Sequence, residues 1–200
     1  YRRQRQMCIR DRFCQSSVIM RKDILDECGI DVSSITDYKD LTDVYATVKE
    51  KYPDMVMMAS NNSATPDTKY EMNDTLTDGF GVLMDHGQDT TVVDYYETDE
   101  YKEFVETMYD WQQKGYLSKD AATTTESAEN QVKAGAAFSY LAPNKPGYDT
   151  RAALLCGTEM EIAPISEPWA GTAQISYLTY GISSSSADKD KTMQCLDYLY

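Results

Sequence analysis

The sequence has a single histidine, His86, and no pair of cysteines spaced as in a zinc site. One imidazole cannot supply the ligand set of a histidine-based metal centre. The acidic run at 94–106 lacks the alternating ligands and the glycine of a calcium loop, so its carboxylates are expected on solvated helix faces. There is also no glycine-rich phosphate loop and no G-x-S-x-G nucleophile motif. We therefore predict no metal, no cofactor and no catalytic residue.

Positive charge and long apolar runs are also scarce. The formal net charge is -14, which argues against nucleic acid and anionic membrane surfaces as partners. No apolar run is long enough to cross a bilayer. The cysteines beyond residue 12 are widely spaced and are expected to be ordinary buried thiols, although one disulfide among them stays possible. They are Cys14, Cys28, Cys156 and Cys195.

The first twelve residues differ in charge from the rest of the chain. Five of them are arginine and one is aspartate, and no apolar core follows as a secretory signal would require. A basic arm for nucleic acid would conflict with the acidic remainder. The string QMCIRDR resembles a recurrent translation of sequencing adaptor. We expect residues 1–12 to be non-native and disordered, and residues 13–200 to form an α/β lobe truncated at both ends.

Short apolar strands alternate with amphipathic helices along residues 13–200, which indicates an α/β fold. The strongest helix signal begins at Asp99 and ends at Lys114-Gly115, with Trp111 completing its apolar stripe and therefore expected in the core. The residues 60–90 read as a long polar loop with one short helix near 74–79. Further helices are predicted at 17–28, 127–134, 148–156 and 188–200. One more helix is predicted to start after a cap at Thr36 or Asp37. Strands are predicted at 55–59 (of the buried parallel type), 91–93, 136–141, 160–165 and 174–182.

Four local strings, in this order, carry a resemblance to a known family. They are RKDIL followed by GID at 21–31, YDW with KGY at 109–116, VKAGAAF at 132–138, and YGIS with the helix after it at 180–200. Together they resemble the second lobe of the sugar-binding family of extracellular solute-binding proteins of ABC importers, which includes maltose-binding protein. The resemblance implies a periplasmic-binding-protein type II (Venus-flytrap) fold, of which this chain would hold mostly one lobe.

The resemblance also implies a function without catalysis. A substrate-binding subunit captures a carbohydrate outside the membrane, and closure of its two lobes presents a surface to the permease subunits. Such a subunit would be a lipid-anchored monomer at the cell surface. Other interpretations stay open at this point: a secreted glycan-active hydrolase, a binder of peptide or another small solute, and an α/β interaction domain that has lost its cleft.

Sugar clefts use flat aromatic faces and polar side chains on loops that follow strands. The loop after the strand at 55–59 carries Asn61 and Asn62. The resemblance implies ligand contacts from this loop, because the family has polar and aromatic contacts there. Tyr140, Asn144 and Lys145 surround the end of the strand at 136–141. Trp169 lies in a Pro-Trp-Ala-Gly loop and is a candidate for stacking. Tyr177 and Tyr180 flank the return strand, where only one of them can face the cleft because alternate residues point to opposite faces.

Overall fold

The computed structural model describes residues 15–60, 74–76, 80–121, 123–144, 147–166 and 181–199. The strands in this part of the chain are β1 (Gln15–Arg21), β2 (Val56–Met58), β3 (Asp74–Thr75), β4 (Gly81–Leu83), β5 (Val92–Asp94), β6 (Ala137–Asn144) and β7 (Met160–Pro164). The α-helices are α1 (Lys22–Cys28), α2 (Leu41–Lys51), α3 (Met84–Gly87), α4 (Asp99–Gln113), α5 (Ala128–Lys133), α6 (Tyr148–Cys156) and α7 (Lys189–Leu199).

A mixed four-stranded sheet in the order β2-β6-β1-β7 forms the centre of the fold. Strand β1 runs antiparallel to both of its neighbours, so that Ile19 lies between Tyr140 of β6 and Ile162 of β7. Strand β2 pairs in parallel with β6, as its short continuous apolar run predicted. The strands β2, β6 and β7 therefore all point in one direction, and β1 points the other way.

Helices cover both faces of this sheet. On one face Val18 and Met20 pack against α1, α2 and α4, and this cluster contains the fully buried Trp111. The indole Nε1 of Trp111 donates a hydrogen bond of 2.9 Å to Oγ1 of Thr42, and its ring meets Tyr45 edge to face. The expectation that Trp111 belongs to the core is confirmed. On the other face Ile19 packs against α5 and α6.

A second, smaller sheet consists of β3, β4 and β5 in that order, all antiparallel. A single 3₁₀ turn, Tyr95–Glu97, joins β5 to the start of α4. Within the predicted long loop at 60–90, the structure therefore has β3, β4 and α3. The short helix expected near 74–79 is wrong for its first two residues, because Asp74 and Thr75 form β3 and pair with Leu83 and Val82.

The predicted helix at 17–28 is correct only in its second half. Residues Ser16 to Met20 are all buried, and strand β1 occupies the centre of the sheet, where both of its faces are covered. An amphipathic helix would bury one side only, so five consecutive buried residues need a strand with layers on both sides. The helix α1 starts after this strand and ends at Gly29, in the left-handed conformation that the sequence predicted.

The other predicted elements agree with the structure to within a few residues. Helix α4 begins after Thr98, whose hydroxyl accepts the backbone N–H of Tyr101 at 3.3 Å. Helix α6 has the predicted bounds, and β6 continues three residues beyond its predicted end at Leu141. The expected strand at 174–182, apart from its last two positions, and the expected non-native segment at 1–12 lie outside the described residues.

The described cysteines form no disulfide with one another. Cys28, Cys156 and Cys195 are free thiols; Cys156 is buried, Cys28 is half-buried and Cys195 is exposed, so the expectation of a buried thiol fails for Cys195. No helix in the described ranges combines the length and the apolar character that a bilayer span requires.

Candidate functional site

The ends of four strands meet at one edge of the central sheet. Because β2, β6 and β7 point the same way, their carboxyl ends lie together, beside the amino end of the antiparallel β1. We call this edge the rim. Gln15, Asn144 and Ser166 stand on it side by side, and Ser60 stands lower, because Met58 pairs with Ser139, five residues before the end of β6. Ligands of open α/β sheets bind outside the carboxyl ends of strands, so this edge is the candidate functional site.

Hydrogen bonds fasten β1 to the end of β7 at the rim. The side-chain Nε2 of Gln15 donates to the carbonyl oxygen of Ser166 at 2.9 Å. The backbone N–H of Ser16 donates to Oγ of the same serine at 2.8 Å, and the N–H of Ile165 donates to the carbonyl oxygen of Ser16 at 2.9 Å. The chain therefore leaves the sheet from a fixed point at Ser166.

A further polar loop reaches the rim beside β2. Leu117 forms a parallel β-bridge with Met58. The backbone N–H groups of Met57 and Met58 donate to the carbonyl oxygen of Tyr116 at 2.8 and 3.1 Å. The chain that follows therefore runs toward the same edge as the end of β2. It forms the polar loop 118–127 ahead of α5.

Gln131 links this loop to the end of β2. Its side chain is 9% exposed, and its Nε2 donates to the carbonyl oxygen of Ser60 at 3.0 Å and to that of Glu126 at 3.4 Å. Helix α5 holds Gln131 in place, since Oγ of Ser127 accepts the N–H of Asn130 at its start. One amide group thus anchors the point from which the chain continues to Asn61 and Asn62.

The structure describes two of the eight residues that the sequence predicted to bind ligand, Tyr140 and Asn144. Asn144 is the last residue of β6, half-buried and opposite Gln15 in the register, so it stands on the rim. The remaining six lie outside the described residues: Asn61, Asn62, Lys145, Trp169, Tyr177 and Tyr180. Of these, Asn61 and Lys145 directly follow rim residues in the chain, and Trp169 follows Ser166 by three positions.

Tyr140 lies further inside the protein than Asn144. It is 2% exposed and packs with Tyr148 and Cys156 in the cluster between the sheet, α5 and α6. Burial is the main cause that raises the pKa of both tyrosines and of the Cys156 thiol, so all three side chains stay neutral. The Tyr140 hydroxyl makes no well-formed hydrogen bond with a described residue. Its contact with a ligand stays a prediction.

The groups on the described part of the rim are amides, hydroxyls and backbone carbonyls. Such groups form hydrogen bonds with the hydroxyls of a neutral, polar solute. Within the described ranges, no group of three or more histidine, cysteine, aspartate or glutamate side chains could hold a metal ion.

The sequence analysis did not identify Gln131, Gln15 or Ser166. Gln131 had a local signal, because it lies on the apolar side of a predicted helix beside Ala128 and Val132. Gln15 and Ser166 had none, because they are 151 residues apart in the chain and only the sheet brings them together.

No family model matches the chain. A carbohydrate ABC transporter substrate-binding protein of Streptococcus pneumoniae serotype 4 is 27% identical over 177 residues, which are 88% of this chain and 36% of that protein. The N-glycan transport solute binding protein NgtS of Streptococcus pneumoniae, in complex with Man1GlcNAc, superposes with a TM-score of 0.74 at 26% identity, over 94% of this chain and 42% of its own. The same protein in complex with Man5GlcNAc gives a TM-score of 0.71.

A more distant similarity supports the same fold. The sugar-binding protein MalE of Xanthomonas citri superposes with a TM-score of 0.55 at 17% identity, over 94% of this chain and 46% of its own. The chain therefore has the mixed α/β fold of part of a type II periplasmic-binding protein, mostly one lobe. Its homologues are carbohydrate ABC transporter substrate-binding proteins, as the four sequence strings predicted. The chain spans less than half the length of these relatives.

Proposed function

We propose that this chain is part of the substrate-binding subunit of an ABC importer, which captures an oligosaccharide outside the membrane. The observation that carries the proposal is the rim. Chain segments that follow β2, β6 and β7 leave the same edge of one sheet, in a fold shared with solute-binding proteins solved with glycans. In such a fold the rim is one wall of a ligand cleft.

Within this proposal the eight predicted residues divide by chemistry. Asn61, Asn62, Asn144 and Lys145 would form hydrogen bonds with sugar hydroxyls. Trp169 and one of Tyr177 and Tyr180 would supply aromatic surface against the C–H faces of the sugar rings, and Tyr140, which is 2% exposed, would stand behind the rim and support it. Asn144 is the best supported of them, because it stands on the rim next to Gln15.

The subunit would act by binding alone. Closure of two lobes around the sugar would create the surface that the permease subunits recognise. We further propose that the complete protein is monomeric and lipid-anchored on the outer side of the membrane. Homologues named as transport solute-binding proteins support binding rather than catalysis.

The proposal is tested on the complete protein with defined ligands. Man1GlcNAc, Man5GlcNAc, a maltodextrin series and a peptide pool are each titrated while the melting temperature is followed, and the solutions are assayed afterwards for new reducing ends. Saturable stabilisation by a sugar, with the sugar unchanged, is the expected result. A ligand at 100 times its Kd adds about 2.7 kcal/mol to the stability.

A pair of aromatic substitutions locates the binding surface. Trp169→Ala is expected to weaken sugar binding, and Tyr198→Ala is the matched control because Tyr198 is 90% exposed on α7. Release of reducing ends would contradict the binding function in favour of a hydrolase. Stabilisation by the peptide pool alone would contradict the choice of ligand.

A further inference from the structure

Between the small sheet and the start of α4, the described residues include a cluster of four aromatic rings, Phe80, Tyr95, Tyr96 and Tyr101. Tyr96 contacts three of them, with ring centroids 5.6 Å from Phe80, 6.2 Å from Tyr95 and 4.9 Å from Tyr101. Tyr95 and Tyr101 also contact each other at 5.4 Å, and all four contacts are edge to face. Two of these residues are partly open to solvent, Phe80 being 60% and Tyr96 40% exposed.

The other two rings support the exposed ones. Tyr95 is 3% exposed and Tyr101 is half-buried, and both stand against Tyr96. The backbone holds the same geometry, because the N–H of Tyr95 donates to the carbonyl oxygen of Phe80 at 3.0 Å and the carboxylate of Asp94 accepts the N–H of Tyr96 at 3.0 Å. The exposed rings are thus fixed before any ligand arrives, which lowers the entropic cost of binding.

This cluster lies at the same end of the molecule as the rim. The first half of α4 contacts the residues ahead of α2, since Phe104 meets Tyr38 edge to face and Glu103 pairs with Lys39 at 2.6 Å. Trp111, in its second half, bonds Thr42 within α2, so α4 runs in the same direction as α2. Because α2 leads through a short turn into β2, both helices run opposite to β2, and the 15 residues of α4 extend about 22 Å toward the rim end. The aromatic cluster stands at the start of this helix.

The size and surroundings of the cluster favour a small polar ligand over a protein. A stable protein interface buries about 800 Å² on each partner, far more than two exposed rings present. Acidic side chains stand next to these rings in the chain, namely Asp94, Glu97 and Glu100, and all are exposed. Flat apolar rings beside carboxylates match a sugar, whose ring has an apolar C–H face and whose hydroxyls donate hydrogen bonds.

We propose that Phe80 and Tyr96 form an aromatic platform that stacks against a sugar ring of the bound glycan, outside the cleft. The proposal rests on the proposed function and extends it. A short glycan fills the cleft only, and a longer one reaches the platform with its outer residues. The platform therefore selects for glycan length.

The test compares two probes on the complete protein by isothermal titration calorimetry. Phe80→Ala is expected to raise the Kd for Man5GlcNAc about 2- to 10-fold, the range that one aromatic contact supplies. The Kd for Man1GlcNAc is expected to stay at the wild-type value. Tyr109→Ala is the matched control, because Tyr109 is a 67% exposed aromatic residue on α4 outside the cluster.

Two further variants separate stacking from general apolar contact. Phe80→Trp keeps a flat ring and is expected to bind Man5GlcNAc as the wild type does, whereas Phe80→Leu keeps bulk without the flat face and is expected to behave like Phe80→Ala. The platform is refuted if Phe80→Ala leaves Man5GlcNAc binding unchanged, or weakens both probes equally. If the wild-type protein binds neither glycan, the platform and the proposed function are both contradicted. If it binds them and Phe80→Ala changes nothing, only the platform is contradicted.

Discussion

At the scale of single residues, buried polar side chains fix the geometry beneath the rim. Oγ of Ser139 donates to the carbonyl oxygen of Met57 at 2.7 Å and pairs with the hydroxyl of Tyr45 at 2.9 Å. This connects β6, β2 and α2 in the interior. Burial also raises the pKa of Tyr45, so its hydroxyl stays neutral. Gln131 makes the corresponding connection at the rim, between α5 and the end of β2.

Gln131→Leu is predicted to lower both stability and sugar affinity. The substitution leaves the carbonyl oxygen of Ser60 without its buried donor, which costs about 1–3 kcal/mol of unfolding free energy. The Kd for sugar should rise because Ser60, which directly precedes Asn61 and Asn62 in the chain, loses its anchor. Urea unfolding and calorimetry measure the two effects. Gln113→Leu, at an exposed position of α4, is the control, and equal values for both variants would refute the anchoring role.

Asp40 is predicted to make stability depend on pH in the acid range. Its carboxylate accepts backbone N–H bonds from Thr36 and Asp37 at 2.9 and 3.0 Å, and these bonds lower its pKa below the usual 3.8. A lowered carboxylate pKa adds stability that is complete above about pH 5 and is lost as the pH falls through the folded pKa. Asp40→Asn cannot titrate, so the stability difference from wild type should shrink between about pH 5 and pH 2.

The measurement is urea unfolding at a series of pH values. Asp43→Asn, on the exposed side of α2, is the matched control for the loss of one charge. A stability difference for Asp40→Asn that is constant with pH, or that matches the control at every pH, would contradict the prediction.

At the scale of elements, local signals at helix ends determined the boundaries. Helix α4 starts at the hydroxyl of Thr98, α5 starts at that of Ser127, and α1 ends at a left-handed glycine. These signals act within four residues, so they can be read from the sequence alone. Strand β1 has no such signal, because its identity depends on β6, β7 and the helices that cover both faces.

Gly29→Ala is predicted to lower stability because of backbone conformation alone. Gly29 has φ +68, and no atom lies within 4 Å of the position that a Cβ would take. A left-handed conformation costs an L-residue about 1–2 kcal/mol. Thermal unfolding should therefore show a lower midpoint for Gly29→Ala. Gly181→Ala is the control, since its site is equally open and its φ lies outside the left-handed region. An equal loss of stability in both variants would exclude backbone strain as the cause.

At the scale of the whole molecule, the chain supplies one wall of the proposed cleft. Its central sheet is covered on both faces by helices, and the rim at the strand ends is its candidate ligand surface. The solved relatives are more than twice as long, since the chain covers 42% of NgtS. Ligand sites of this kind enclose most of the ligand surface, and a single wall cannot do so.

The chain by itself is therefore predicted to bind sugar far more weakly than the complete protein. Loss of the facing wall should raise the Kd at least about 100-fold, which corresponds to about 2.7 kcal/mol of lost contacts. Calorimetry on both proteins with the same glycan measures the ratio. Circular dichroism must first show that the chain alone is folded, and equal affinities would contradict the one-wall interpretation.

The sequence by itself determined the acidic character, the helices α2, α4 and α6, the core position of Trp111 and the resemblance to sugar-binding proteins. These depend on composition and on patterns within a few turns of chain. The tertiary structure alone decided that β1 is the central strand, that Tyr140 is buried, and that Gln15 meets Ser166 from 151 residues away. Pairing across the sheet follows from which faces become covered when distant segments pack, and no local pattern encodes that.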